Sequence, residues 1–186
     1  MTRYTRLSIG VLTLTIATMS WMSPRAALAA GAAGIEEDAA AALKKLTATE
    51  PAAKLLSEKA KAILVFPTIV KAGFMVGAHY GEGVLIQNGR TVGHYNSLAG
   101  SYGYQAGVQT YGYALFLMND QALQYLDRSD GWEIGVGPSI VVVDKGKGKS
   151  VTSTTLTKDV YAFIFNQKGL MAGAGIQGSK ITKVSQ

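Results

Sequence analysis

Gly73-Phe74-Met75-Val76-Gly77-Ala78-His79-Tyr80, then Gly83-Val84-Leu85-Ile86, then Asn88-Gly89, and then Thr91-Val92-Gly93-His94-Tyr95 is the stretch that decides the fold. Each apolar run is strand-length and bounded by glycine, and Asn-Gly is a strong two-residue hairpin signal. The pattern predicts antiparallel strands on either side of residues 88–89. Upstream, Ala62-Ile63-Leu64-Val65-Phe66 runs into Pro67, which favours an extended segment before it. Downstream, residues 102–118 are rich in Tyr and Gly and end in Ala114-Leu115-Phe116-Leu117-Met118. Residues 132–143, 160–165 and 170–176 extend the series to about eight strands, the last two joined through Asn166 and Gly169. Asn119-Asp120 is positioned to cap a short helix through Leu126, and Asp130-Gly131 to turn the chain after it.

Two helices are expected ahead of the strands. Residues 35–47 carry Glu36, Glu37 and Asp38 first and Lys44 and Lys45 last, the order that complements a helix dipole. Glu50-Pro51 opens the second, since proline is tolerated at the first helical position. There Ala52, Leu55, Leu56 and Ile63 fall on one face, and Lys54, Glu58 and Lys61 on the other, with Lys59 between. Such a helix suits either a protein core or a membrane surface. The expected architecture is α+β: an antiparallel, barrel-like sheet with a few helices packed on it. Ile140-Val141-Val142-Val143 and Tyr161-Ala162-Phe163-Ile164-Phe165 are apolar on both faces, which argues for strands covered on both sides by protein. An integral membrane barrel, with alternating strands, fits them poorly.

The chain has 186 residues, no cysteine, 22 glycines and 4 prolines, with 48% apolar and 16% charged residues. That is enough for one domain with a real core and too little charge for wholesale disorder. Without cysteine there are no disulfides, thiolate metal sites or cysteine nucleophiles. Residues 1–29 read as a secretory signal peptide. Arg3 and Arg6 precede the uncharged residues 7–22, and Ala27-Leu28-Ala29 supplies the small-x-small cleavage pattern. The uncharged run is shorter than the ~20 apolar residues that span a bilayer. Residues 30–49 then form a leader and helix, with residues 31–34 a mobile stretch of small residues, and residues 50–186 the domain proper. Three arginines and no acidic residue precede the cut, so cleavage lowers the formal charge from +6 to +3. That mild balance gives no support for nucleic acid as a partner.

Apparent catalytic motifs fail on context. Gly146-Lys147-Gly148-Lys149-Ser150 resembles the end of a phosphate loop, but Val143 stands where the first glycine belongs and a β-branched segment follows. Gly173-Ala174-Gly175-Ile176-Gln177-Gly178 has dinucleotide-loop spacing, yet too little chain remains for the helix and acidic residue that loop needs. No Gly-x-Ser-x-Gly elbow occurs. His79, His94 and Glu82 would make a metal site only if their strands brought them together. The reading is of no enzyme, no catalytic residue, no metal and no cofactor.

The remaining signal lies in lysines. Lys44, Lys45, Lys54, Lys59, Lys61 and Lys71 form one group and Lys145, Lys147 and Lys149 another. A lysine close to an anionic membrane contributes on the order of 1 kcal/mol, so a few on one surface hold a protein there reversibly.

The order of short motifs resembles the SYLF domain family. Lys61-Ala62-Ile63-Leu64-Val65-Phe66-Pro67, Lys71-Ala72-Gly73-Phe74 and Gly81-Glu82-Gly83-Val84 carry the resemblance first. Ser101-Tyr102-Gly103-Tyr104-Gln105-Ala106-Gly107, Gly135-Val136-Gly137-Pro138, Asp159-Val160-Tyr161 and Lys168-Gly169-Leu170-Met171-Ala172-Gly173 continue it. The resemblance spans residues 54–183 and implies a lipid-binding module without catalytic residues. In the family, membrane contact is attributed to a basic amphipathic N-terminal segment, here residues 52–71. Phospholipid docking through Lys54, Lys59, Lys61 and Lys71, followed by insertion of Leu55 and Leu56, is the expectation. Lys145, Lys147 and Lys149 offer a second contact. The signal peptide implies a peripheral membrane position in the periplasm, where the family's actin association is not expected. The alternative is an envelope structural or protein-interaction module that binds another protein instead of lipid.

Overall fold

A computed structural model of the chain describes residues 24–128, 130–143, 156–169, 176 and 178–184. Helix α1 (Pro24–Thr49) is followed by α2 (Pro51–Lys59) and two very long strands, β1 (Ala62–Gln87) and β2 (Arg90–Leu117). Then come α3 (Asp120–Leu126), β3 (Trp132–Glu133), β4 (Ile140–Val142), β5 (Val160–Gly169) and β6 (Lys180–Val184). The fold is α+β, with a mostly antiparallel sheet curled into a half-barrel, as the strand pattern predicts.

The expected strands around residues 73–95 are parts of one antiparallel ribbon. β1 and β2 pair from Gln87↔Arg90 at the turn to Ala62↔Leu117 at the far end. The turn is the Asn-Gly hairpin, with positive φ at both Asn88 (51°) and Gly89 (74°). β2 is the centre of the sheet. On its other edge β5 pairs with residues 109–117 and β6 with residues 94–98, both antiparallel, while β4 joins β5 in parallel.

Glycine lets this ribbon double back. A Cβ on Gly83 would overlap the Val65 carbonyl and sit 2.6 Å from the Phe66 ring, and one on Gly81 would lie 2.6 Å from the Thr68 carbonyl. Two parts of β1 far apart in sequence therefore lie against each other, which a side chain at either glycine would prevent. Register shifts at Phe66/Ile69 and Phe74/Val76 accompany the bend.

Both faces of the sheet are covered over much of its area. Inside the curl, Leu64, Phe66, Tyr113, Leu115 and Leu117 pack with Leu126 of α3, Trp132 and Ile181. Outside, Ile63, Val65, Val84, Phe116 and Phe163 pack with Ala39 and Leu46 of α1 and Leu56 of α2. The two-faced apolar runs of β4 and β5 have this double cover as their cause. Asp159 locks the β4–β5 end. Its carboxylate accepts hydrogen bonds from the Asn119 amide and from the backbone N–H and hydroxyl of Ser139, each at 2.7 Å. Those bonds hold its pKa below the usual carboxylate value.

Several local expectations differ from the structure. α2 ends at Lys59, and Ile63 belongs to β1 because its neighbours pair with β2 from Ala62 onward. Helix α1 begins at Pro24, so residues 31–34, expected to be a mobile leader, are helical. Residues 132–143 are two short strands separated by a turn, not one strand. Residues 180–184, left without an assignment, form β6. Asn119 caps α3 as expected, accepting from the Ala122 N–H at 2.9 Å. The strand expected over residues 170–176 lies outside the described residues apart from Ile176.

Candidate functional site

Among the described residues, the sequence-predicted lipid contacts do not form one surface. Lys54, Lys59 and Lys61 are exposed on and after α2, and Lys61 Nζ lies 3.6 Å from the Asp120 carboxylate. Leu55 is half-buried and Leu56 is wholly buried beneath α1, so Leu56 is a core residue and not available for insertion. Lys71 is separated from these by most of the first half of β1, and it points to the inside of the curl with 9% of its surface exposed. The basic amphipathic face expected over residues 52–71 is therefore corrected: it ends where α2 becomes β1. Lys145, Lys147 and Lys149 lie outside the described residues.

A different surface is built by β1 and β2 themselves. From Val70 to Tyr80 the even-numbered residues of β1 point outward, beyond the part of the sheet that α1 covers. Val70, Ala72, Phe74, Val76, Ala78 and Tyr80 are all exposed, Phe74 at 75% and Val76 at 65%. Residues paired across an antiparallel ladder share a face. By that rule Val108, opposite Ala72, and Leu98, opposite Tyr80, extend the strip, and both are more than half exposed. Two cations border it. Lys180 of β6 pairs with Leu98, and Lys168 of β5 pairs with Thr110, itself the partner of Val70. Both lysines are exposed. Tyr80 donates a 2.8 Å hydrogen bond to Glu82 on the same face.

The inner face of the same ribbon is polar. The Tyr111 hydroxyl lies 3.1 Å from His79 Nδ1, and His79 Nε2 lies 3.3 Å from Ser97 Oγ. The Tyr113 hydroxyl donates to Ser97 Oγ at 2.7 Å. Burial, and then the charge of Lys71, lower the His79 pKa, while burial pushes Tyr111 up to about 12. A Ser–His contact invites comparison with a nucleophile and its base, but Ser97 has no exposed surface at which a substrate could meet its hydroxyl. The three candidate metal ligands do not converge. His79 faces inward, whereas His94 and Glu82 lie on the outer face, with His94 Nε2 3.2 Å from Glu36 Oε1 of α1. Among the described residues no group of three such ligands forms, and no helix is long and apolar enough to cross a membrane.

Sequence reasoning missed the outer strip, although a signal for it was there. In Val70-Lys71-Ala72-Gly73-Phe74-Met75-Val76-Gly77-Ala78-His79-Tyr80 every even position is apolar, while Lys, Gly and His fall at odd ones. Period-2 alternation was legible, but which face is the outer one depends on the curl.

The fold and this strip define a small α+β domain with a cation-bordered β-face that is uncovered among the described residues. Comparison with family models gives it a place: residues 98–186 match Ysc84, the Las17-binding protein actin regulator family. Over those residues the chain is similar to the Ysc84 (SYLF) family, in keeping with the resemblance that its short motifs carry. The match takes in the motifs from Ser101 onward and begins after Lys61–Pro67, Lys71–Phe74 and Gly81–Val84. No curated protein matches the chain.

Proposed function

We propose that the protein binds phospholipid membranes of the cell envelope without catalysis, through the outer face of the β1–β2 ribbon. The observation that carries this reading is the strip Val70, Phe74, Val76, Tyr80, Leu98 and Val108, exposed on one face and bordered by Lys168 and Lys180. A contiguous apolar patch with a charged rim marks an interaction surface. Apolar-out, polar-in alternation is the pattern of strands that meet lipid. Lysines at the edge of such a patch reach anionic headgroups while the apolar residues enter the acyl boundary. The signal-peptide reading of residues 1–29 puts the protein in the periplasm. Actin and Las17 are named in the description of the matched family, and neither is expected as a partner in that compartment.

Co-sedimentation of the exported form with phosphatidylcholine vesicles, with and without phosphatidylglycerol, tests this. Substituting Phe74, Val76 and Val108 with Ser is expected to abolish binding to both vesicle types. Lys168→Glu with Lys180→Glu is expected to weaken binding about tenfold on anionic vesicles at low salt and little at high salt. Loss of binding in Lys54→Glu/Lys59→Glu/Lys61→Glu alone would move the contact to α2. An apolar strip that binds no vesicle under any condition would point to an envelope protein as its partner.

A further inference from the structure

Asn88-Gly89 closes the β1–β2 hairpin, and the turn it forms is bare. Both residues are exposed, and nothing lies within 4 Å of the position that a Cβ on Gly89 would take. Among the described residues the Asn88 side chain has no hydrogen bond, and the Gly89 N–H has none either. A side-chain amide carbon and a free backbone nitrogen thus stand next to each other in the chain with nothing to restrain them. Because that nitrogen belongs to glycine, no side chain obstructs its approach. The other three of the chain's four asparagines are held. The Asn119 amide donates to Asp159 at 2.7 Å, and its oxygen accepts from the Ala122 N–H at 2.9 Å. Asn96 and the Ser97 that follows it pair on both edges, with β1 and with β6. Asn166 Oδ1 lies 3.5 Å from Lys45 Nζ, and Gln167 follows it in place of glycine. Even the comparable Asp130-Gly131 turn is closed. There the Gly131 N–H donates to the Arg128 carbonyl at 3.1 Å, and a Cβ on Gly131 would meet the Ile181 carbonyl.

We infer that Asn88 is a site of covalent self-modification, an intramolecular deamidation through a succinimide in the folded protein. The Gly89 nitrogen gives up its proton and attacks Asn88 Cγ. The N–Cγ bond forms, the Cγ–Nδ2 bond breaks, and Nδ2 leaves with that proton as ammonia. Water then opens the five-membered ring at either carbonyl carbon. Attack at Cγ restores the main chain and leaves an aspartyl residue. Attack at the backbone carbonyl carbon of residue 88 leaves an isoaspartyl residue, whose main chain runs through the side-chain CH2. No electron is gained or lost, and water is the one co-reactant. The aspartyl product keeps the hairpin, since Asp-Gly suits the same primed turn. The isoaspartyl product lengthens the main chain beside the Gln87↔Arg90 pair that closes the ladder. Both add a carboxylate next to the exposed Arg90. The site lies at the end of the ribbon, apart from the outer strip, and does not rest on the membrane reading.

The test follows the folded exported protein over time in mildly alkaline and mildly acidic buffer, with peptide masses as the readout. The peptide containing Asn88 is expected to gain the mass that replaces NH with O, while those containing Asn96, Asn119 and Asn166 stay behind. The gain should be faster in the alkaline buffer, because the Gly89 nitrogen attacks once its proton is gone, and ammonia release should match it mole for mole. An isoaspartyl-directed methyltransferase with labelled S-adenosylmethionine should label the aged protein and not the fresh one. Asn88→Gly keeps a dipeptide that suits the same turn, so it should melt close to the wild type and lose both the mass gain and the label. An Asn88 that stays unmodified in the folded protein, under conditions that modify it in urea, overturns the inference. So does a gain shared equally among the four asparagines. A gain without isoaspartyl label would mean direct hydrolysis of the amide and would overturn the succinimide route. No vesicle enters the experiment, so its outcome and that of the docking test are independent.

Discussion

The Tyr111 hydroxyl meets Nδ1 of His79 at 3.1 Å across the inside of the folded ribbon, and Nε2 of the same ring meets Ser97 at 3.3 Å. With Tyr111 donating to Nδ1 and Nε2–H donating to Ser97, one neutral tautomer serves both contacts. Burial and the nearby Lys71 charge both disfavour the imidazolium, so the folded-state pKa lies below 6.5. The unfolded chain therefore takes up a proton at this residue before the folded protein does. Stability is full above about pH 6.5 and falls as the pH drops below it, until the folded-state value is reached. Within that window the loss approaches about 1.4 kcal/mol per pH unit. Urea unfolding midpoints from pH 8 to pH 5 should show this decline in the wild type. A His79→Gln variant should be less stable at pH 8 and show a shallower decline. An equal slope in both would remove His79 from the account.

How much of this was legible in the sequence depends on the range of the interactions involved. The Asn88-Gly89 hairpin, the Asn119 cap and the proline start of α2 are set by residues within one turn, and the sequence signals them directly. Double cover of β5 was legible too, because Tyr161 and Phe163 alternate with Ala162 and Ile164, and no face is polar. The site was another matter. Leu56 and Leu55 are adjacent on a basic amphipathic helix, and only the packing of α1 over α2 decides that Leu56 is core. Lys71 reads as one more surface lysine until Gly81 and Gly83 bring the halves of β1 together and turn its face inward. Lys168 stands at the start of the Lys168–Gly173 motif and Lys180 two residues after Gly178, and they become neighbours of the strip only through pairing with β2.

Burial of Leu56 separates the two ways α2 could serve the protein. As a core residue with no exposed surface, Leu56 contacts the layer formed by α1 and the outer sheet face. Leu56→Ala should cost about 3 kcal/mol, the usual scale for a buried leucine left as a cavity. Leu55→Ala, at a half-buried position, should cost about 1 kcal/mol. Chemical denaturation of the two variants checks the difference. Equal small losses would mean that α2 is not packed as described and that its apolar face is free for other contacts.

Glycine at the inner crossing gives the sharpest test of the doubled ribbon. Gly83 abuts the Val65 carbonyl and the Phe66 ring, and Phe66 itself stacks against Tyr113 with ring centroids 4.7 Å apart. A methyl group at Gly83 would have to push this ring pair and the opposing backbone away. Backbone cannot yield as a flexible side chain does, so Gly83→Ala should destabilise by about 3 kcal/mol despite alanine's lower unfolded-state entropy. Gly100 lies in the same ribbon with nothing within 4 Å of a Cβ. Gly100→Ala should therefore leave stability unchanged or raise it by about 0.5 kcal/mol. Urea midpoints for the pair decide the matter. Equal behaviour would show that β1 does not fold back on itself, and with that result the inward placement of Lys71 would fall as well.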